Sequence, residues 1–293
     1  MKPAIRTDLA LESRELAGAT AEEQARIPGV RFSRRKLGGM TVDVMDITTQ
    51  EGADRLCKPV GRYVTAEIDR FLRRRDDAFT DSAQGIGQLL RELLDLKRDS
   101  GVLVACLGNP AITPDAIGPL CARNIMVTRH LKERMPETFQ PFRSVAVVCP
   151  GVLGTTGIES AALVGAAVRE VQPDAVIAID ALAARNLHRL CRTVQICDTG
   201  ISPGSGVGNH RYALNRESLG VPVIAVGVPT VVDMGTVVQD LGGSLPEDDS
   251  PEMIVTPRDI DSFVSDAAKL VGYALNFALH EGLTIGDIDL FVS

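Results

Sequence analysis

The chain has 293 residues, 45% of them hydrophobic and 24% charged, with a net charge of −7. That balance suits a soluble globular protein able to bury a sizeable core, and its acidity excludes a nucleic-acid binder that works by neutralising phosphates. The longest apolar run, around Val221–Val232, is too short and too rich in Pro and Gly to span a membrane, and Met1-Lys2-Pro3 opens no signal peptide, so the chain reads as cytoplasmic.

Residues 1–36 are polar and rich in Glu and Arg, and only Thr20–Arg26 suggests a helix. Strands are predicted at Met40–Ile47 and Gly61–Ile68, followed by a helix over 81–98, where Ile86, Leu89, Leu90, Leu93, Leu94 and Leu96 recur at helical spacing. A rhythm then sets in. Strands are predicted at Val102–Leu107, Val145–Cys149, Ala175–Ile179, Val194–Cys197 and Val223–Val228. Helices are predicted at Ala116–Glu133, Gly157–Val171, Ala181–Leu190 and Arg258–Glu281. Such alternation predicts an α/β fold with a mainly parallel sheet covered on both faces. No helical pattern separates the strands between Arg192 and Val228, so that part is expected to be antiparallel or irregular. Residues 242–252 read as a solvated loop.

Two stretches place a carboxylate where a strand ends. In "PDAVIAIDALAARN" (173–186), five apolar residues suit a strand buried on both faces, and Asp180 follows them. Open α/β sheets hold ligands at that end, but a capping Asp on the helix predicted next has the same position. In "CLGNPAITPDAIGP" (106–119), Gly108-Asn109-Pro110 makes the turn and Thr113-Pro114 opens a helix, with Asp115 in its first turn. An acid there stabilises the helix start, or it faces a site. Two carboxylates converging on one crevice divide the labour, one holding a proton while the other acts as base. That arrangement activates water against a peptide bond.

The same pair suits a metal ion, but the histidines show no HExxH spacing. His130 and His188 fall on predicted helices as surface or packing residues, and His210, in a loop, is the better supporting candidate. "CDTGISPGSGVGNHR" (197–211) lacks the lysine-and-hydroxyl ending of a phosphate loop. Its glycines let backbone approach a bound chain, and Asp198 is either a supporting acid or a turn former. Ser202 and Ser205 have no G-x-S-x-G context. Cys106, Cys149 and Cys197 lie in apolar runs and read as buried, unreactive thiols of a reducing compartment. Three readings stay open on the residues alone: an aspartate-dependent endopeptidase, a metal-assisted peptidase, and a non-catalytic protein holding a nucleotide or peptide on the glycine loop.

"RTDLALE" (6–12), "KPVGRYVTAE" (58–67), "LGNPAITPDAIGP" (107–119), "AVIAIDALAAR" (175–185), "ISPGSGVGNHR" (201–211), "GVPVIAVGVPTVVD" (220–233) and "MIVTPRDID" (253–261) together resemble the germination protease family of endospore-forming bacteria. The resemblance runs in order over nearly the whole chain. It implies an endopeptidase of the spore core that degrades small acid-soluble spore proteins at germination, without metal or cofactor. The fold implied is a three-layer α/β/α sandwich like that of hydrogenase-maturation endopeptidases, in a homotetramer. The family's two essential aspartates map to Asp115 and Asp180. The family is made as a precursor that cuts itself after an acidic residue, before an apolar residue followed by alanine. Asp8-Leu9-Ala10 fits, so residues 1–8 are the expected propeptide and 9–293 a single peptidase domain. Arg62 stands where the family pattern favours a smaller residue.

Overall fold

A computed structural model describes residues 7–18, 20–68, 77–204, 212–241 and 253–292. Its strands are β1 (Val30–Leu37), β2 (Met40–Ile47), β3 (Gly61–Glu67), β4 (Val102–Cys106), β5 (Val145–Val148), β6 (Ala175–Ala184), β7 (Thr193–Cys197), β8 (Val223–Asp233) and β9 (Ile254–Val255). They form one sheet in the order β1-β2-β3-β7-β8-β6-β4-β5, with β9 added to β8. The block β5, β4, β6 and β8 is parallel. From β8 outward, β7, β3, β2 and β1 continue the sheet antiparallel, as expected for the segment after Arg192.

The helices used below are α1 (Ala10–Ala17), α2 (Ala21–Ala25), α3 (Gln50–Leu56), α4 (Ala78–Leu94), α5 (Ile117–Ala122), α6 (Arg129–Arg134), α7 (Ser160–Val171), α8 (Ile260–Leu279) and α9 (Ile285–Val292). In β6 the alternation of a strand sends Ile177 and Ile179 to one face and Val176 and Ala178 to the other. The first pair packs with Ile86 and Leu90 of α4, Ile117 of α5 and Val271 of α8. The second pair packs with Val164 of α7. On the antiparallel half the latter face is covered by Ala10 of α1 and by Ala53 and Leu56 of α3. The result is an α/β architecture of three layers, with the apolar runs of the parallel block buried on both sides. Fully burying one such side chain stabilises the fold by roughly 1.5–3 kcal/mol. No helix of the described residues is long and apolar enough to cross a membrane.

Four sequence expectations are corrected. The helix predicted over Ala181–Leu190 is absent: β6 runs on to Ala184 and residues 185–192 turn. Ala181 and Leu182 pair with Val228 and Pro229, and after a bulge Ala183 and Ala184 pair with Val231 and Val232. Alanine's helical advantage over strand-prone residues is only some tenths of a kcal/mol per residue, and these ladder bonds outweigh it. The predicted helix Ala116–Glu133 is split into α5 and α6. Asn276, fully buried on α8, accepts from Met126 N (2.9 Å) and donates to Asn124 O (2.9 Å), so it binds the backbone at the break. The polar N-terminal region holds α1 and β1 besides α2; β1 is an edge strand with Arg31, Arg34, Arg35 and Lys36, charge that discourages pairing with other chains. Cys106 and Cys197 are buried, but Cys149 is exposed, because it lies one residue past β5, the edge strand of the parallel block. The loop expected at 242–252 lies outside the described residues.

His280, just past the end of α8, is 3% exposed and packs edge-on against Phe142. Burial, helped by the cations Arg143 and Lys132 and opposed by a backbone contact with Met126, lowers its pKa from 6.5 to about 4. Between those values the unfolded chain binds a proton that the folded one refuses, so stability falls as pH drops through this window. The expected loss between pH 7 and pH 4 is about 3 kcal/mol from this residue. Denaturant unfolding of wild type and His280→Phe at both pH values checks it; equal pH dependence in the two proteins would remove the assignment.

Candidate active site

Asp180 follows Ile179, which pairs with Cys106 at the end of β4. Its own strand continues, and Asp180 pairs with Gly227 of β8. The residue therefore sits inside β6 but at the level where β4 stops. It is 5% exposed, and its Oδ1 accepts the Ala181 N–H at 2.9 Å. Because no helix follows, the capping role open to it on sequence falls away.

Asp115 ends a single 3-10 turn, Thr113–Asp115, with Pro114 in it. Two hydrogen bonds from outside the turn help to hold it. The Asn109 N–H donates to Asp115 Oδ2 at 2.8 Å, and Thr230 of β8, fully buried, donates its hydroxyl to Pro114 O at 2.7 Å. Gly108 makes the close approach of turn and strand feasible. Its φ is +111°, and a Cβ there would stand 2.0 Å from Asp115 O. Asp115 and Asp180 line one cavity of about 250 Å³. Its remaining wall is largely apolar, with Leu107, Ile112, Val152, Leu182 and Val231. Two carboxylates in a largely apolar recess at the level where β4 stops form a site suited to acid–base chemistry on a buried polar bond.

Asp8 lines the same cavity and also a larger one beside it of about 530 Å³. The segment Thr7–Ala10 meets β6 at Ala183. Asp8 N donates to Ala183 O (2.9 Å) and Ala183 N to Asp8 Oδ2 (2.9 Å). Lys58 Nζ donates to Thr7 O (3.2 Å) and Asp8 O (3.0 Å). Gln195 of β7 donates to Asp8 O (3.2 Å) and accepts from Ala10 N (2.7 Å). Burial pushes the Lys58 pKa down, against the nearby Asp8 and Cys197. Leu9 is fully buried. Glu12, 1% exposed, accepts from Arg185 N (2.6 Å) and Asn186 N (2.8 Å) and pairs with Arg189, fixing the turn after β6. Lys58, Gln195 and Glu12 escaped sequence reasoning. Lys58 opens a quoted motif, but nothing local shows that it meets the N-terminal segment.

Of the two supporting candidates, Asp198 lies apart from this cavity. Asp198 Oδ1 accepts the Arg62 N–H at 2.7 Å, where β3 begins, and it is absent from the walls of both cavities. Arg62 also pairs with Asp46 at 2.6 Å, which gives the unexpected arginine a partner. His210 lies outside the described residues. Among those described, no group of three or more His, Cys, Asp or Glu could hold a metal ion.

The sequence profile of the family described as germination protease matches residues 7–242. The germination protease of Caldanaerobacter subterraneus subsp. tengcongensis is 43% identical over 314 aligned positions, covering 96% of this chain and 95% of that protein. That of Clostridium perfringens (strain ATCC 13124) is 38% identical with 99% of each chain covered, and that of Bacillus subtilis 36% identical with 94% of each. Among solved structures, the NiFe hydrogenase maturation protease HycI from Thermococcus kodakarensis KOD1 aligns with a TM-score of 0.36 at 18% identity, over 64% of this chain and 99% of that one. Identity at this level, along nearly the whole of both chains, makes this protein a member of the germination protease family.

Proposed function

We propose that the protein is an aspartate-dependent endopeptidase of the spore core that opens small acid-soluble spore proteins to degradation, acting as a homotetramer without metal. The observation that carries the reading is the shared cavity of Asp115 and Asp180. One carboxylate takes a proton from water as the water attacks the peptide carbonyl; the other, protonated, donates to the departing amine. The apolar wall seats the side chain that follows the cut. Incubation with a purified small acid-soluble spore protein tests the activity. Site-specific cleavage that survives strong chelation is expected, and cleavage lost on chelation and restored by a metal would favour the metal-assisted alternative.

The same site is proposed to cut its own chain between Asp8 and Leu9, making residues 1–8 a propeptide and 9–293 the peptidase domain. Support comes from Asp8 lining the aspartate cavity and from its carbonyl oxygen, which already accepts from Lys58 and Gln195. Donors aimed at a carbonyl oxygen stabilise the charge that develops there during attack. Mass spectrometry after mildly acidic, dehydrating incubation is expected to find a new N-terminus at Leu9 in the wild type and none in Asp115→Asn. Lys58→Met is expected to slow the cut by about 10²-fold. An active enzyme that keeps Met1–Asp8 throughout would overturn self-cleavage.

A further inference from the structure

We propose that Cys149 is a hydroperoxide-reactive thiol and that Cys106 is its resolving partner, the two closing a disulfide between the ends of β4 and β5. Ala105 pairs with Val148 in the parallel register, so the next residues along, Cys106 and Cys149, are cross-strand neighbours. Their side chains share a face: Val104, Cys106 and Val145 belong to one core, and Val147 packs against it. Adjacent strands lie about 4.8 Å apart, inside the roughly 4.4–6.8 Å that a disulfide spans between Cα atoms. Neither backbone has to move far to join them.

Exposure assigns the roles. Cys149 is open to solvent while Cys106 is buried beneath it. The proximity of the two thiols lowers the Cys149 pKa to about 7, against the opposing effect of burial, and raises that of Cys106. Cys149 is thus the more readily ionised and the more accessible thiol of the pair. Reactivity follows thiolate character and access together. The other exposed cysteine, Cys57, provides a contrast within the same chain: its sulfur is turned to Asp54 O at 3.6 Å, with no thiol as partner. Cys121 of α5 is buried near both members of the pair, and burial raises its pKa.

The chemistry balances with a hydroperoxide as oxidant. Cys149 sulfur attacks the terminal peroxide oxygen, the O–O bond breaks, and the departing alkoxide leaves as the alcohol, or as water from hydrogen peroxide. The sulfenic acid so formed is attacked by Cys106 sulfur; the S–O bond breaks, and hydroxide leaves as water with the Cys106 proton. Two thiols and one peroxide yield one disulfide, one alcohol and one water. The crosslink would join the strands that lead into Leu107, Gly108 and Val152, all on the wall of the aspartate cavity. Oxidation is therefore expected to lower peptide cleavage, reversibly with dithiothreitol. That effect rests on the proteolytic reading, whereas the disulfide itself does not.

Peptide mapping of the reduced full-length protein after one equivalent of hydrogen peroxide and maleimide blocking tests the pair. The expected product is a linked Cys106–Cys149 peptide, with Cys57 still free to alkylate. In Cys106→Ser the linked peptide should vanish and dimedone should trap Cys149; Cys106→Ala repeats this with a smaller perturbation of the core. Oxidation of Cys149 no faster than Cys57 would overturn the proposal. So would a Cys149 sulfenic acid that persists in the wild type with Cys106 intact.

Discussion

Asp115→Asn and Asp180→Asn are each expected to leave a folded protein whose turnover on a small acid-soluble spore protein falls by about 10³-fold or more. Asparagine keeps an oxygen able to accept from Asn109 N at the first site and from Ala181 N at the second, so the local ties survive. What goes is a group that exchanges protons. Residues that act as one unit lose nearly everything when either is removed, so the double variant should be little worse than the singles. Circular dichroism and thermal melts establish that the fold is intact. Near-normal turnover in either single variant would end the paired-acid mechanism.

Gly108→Ala is expected to be the most damaging single methyl group near the site. Its Cβ would meet the Asp115 carbonyl oxygen at 2.0 Å, on a backbone with φ +111°. The strain and overlap together should destabilise the protein by about 2–5 kcal/mol. Displacement of the Asp115 turn should lower turnover by about 10²-fold beyond any loss of folded protein. Gly157→Ala is the matched control, since its φ is +70° but nothing lies within 4 Å of the added carbon. Equal activity in the two variants, measured well below both melting temperatures, would show that the approach of Gly108 to Asp115 has no bearing on catalysis.

Where sequence and structure agree, each segment carries its own reason. Met40–Ile47 is a strand at the predicted bounds, because its alternation is local. The strand Ala175–Ile179 is legible as a run of five apolar residues, but the strand end expected at Asp180 is not one, because β6 runs on to Ala184. The meeting of Asp115 and Asp180 in one cavity was not legible, because it depends on β4 and β6 being neighbours in the sheet, and strand order is decided by the whole fold. The alanines after Asp180 misled because their preference for helix is weak and β8 offered ladder partners. β1 was invisible because an edge strand can be polar on both faces. Lys58, Gln195 and Glu12 read as ordinary polar residues because their partners lie far away in the sequence, Lys58 and Gln195 meeting the N-terminal segment and Glu12 the turn after β6.

The two aspartates differ in how firmly the fold holds them. Asp180 lies on β6, bordered by β4 and β8 and paired directly with Gly227. Asp115 lies on one turn of 3-10 helix, tied chiefly through Asn109 and through the Thr230 hydroxyl to Pro114. Backbone amides around Asp180 should exchange hydrogen only when the central sheet opens, whereas those of the 113–115 turn need only a local excursion. The spacing between the carboxyl groups is then governed by the softer member. On warming, the geometry of the pair would blur well before the sheet melts, and the temperature optimum of the enzyme would reflect the turn rather than the global unfolding midpoint.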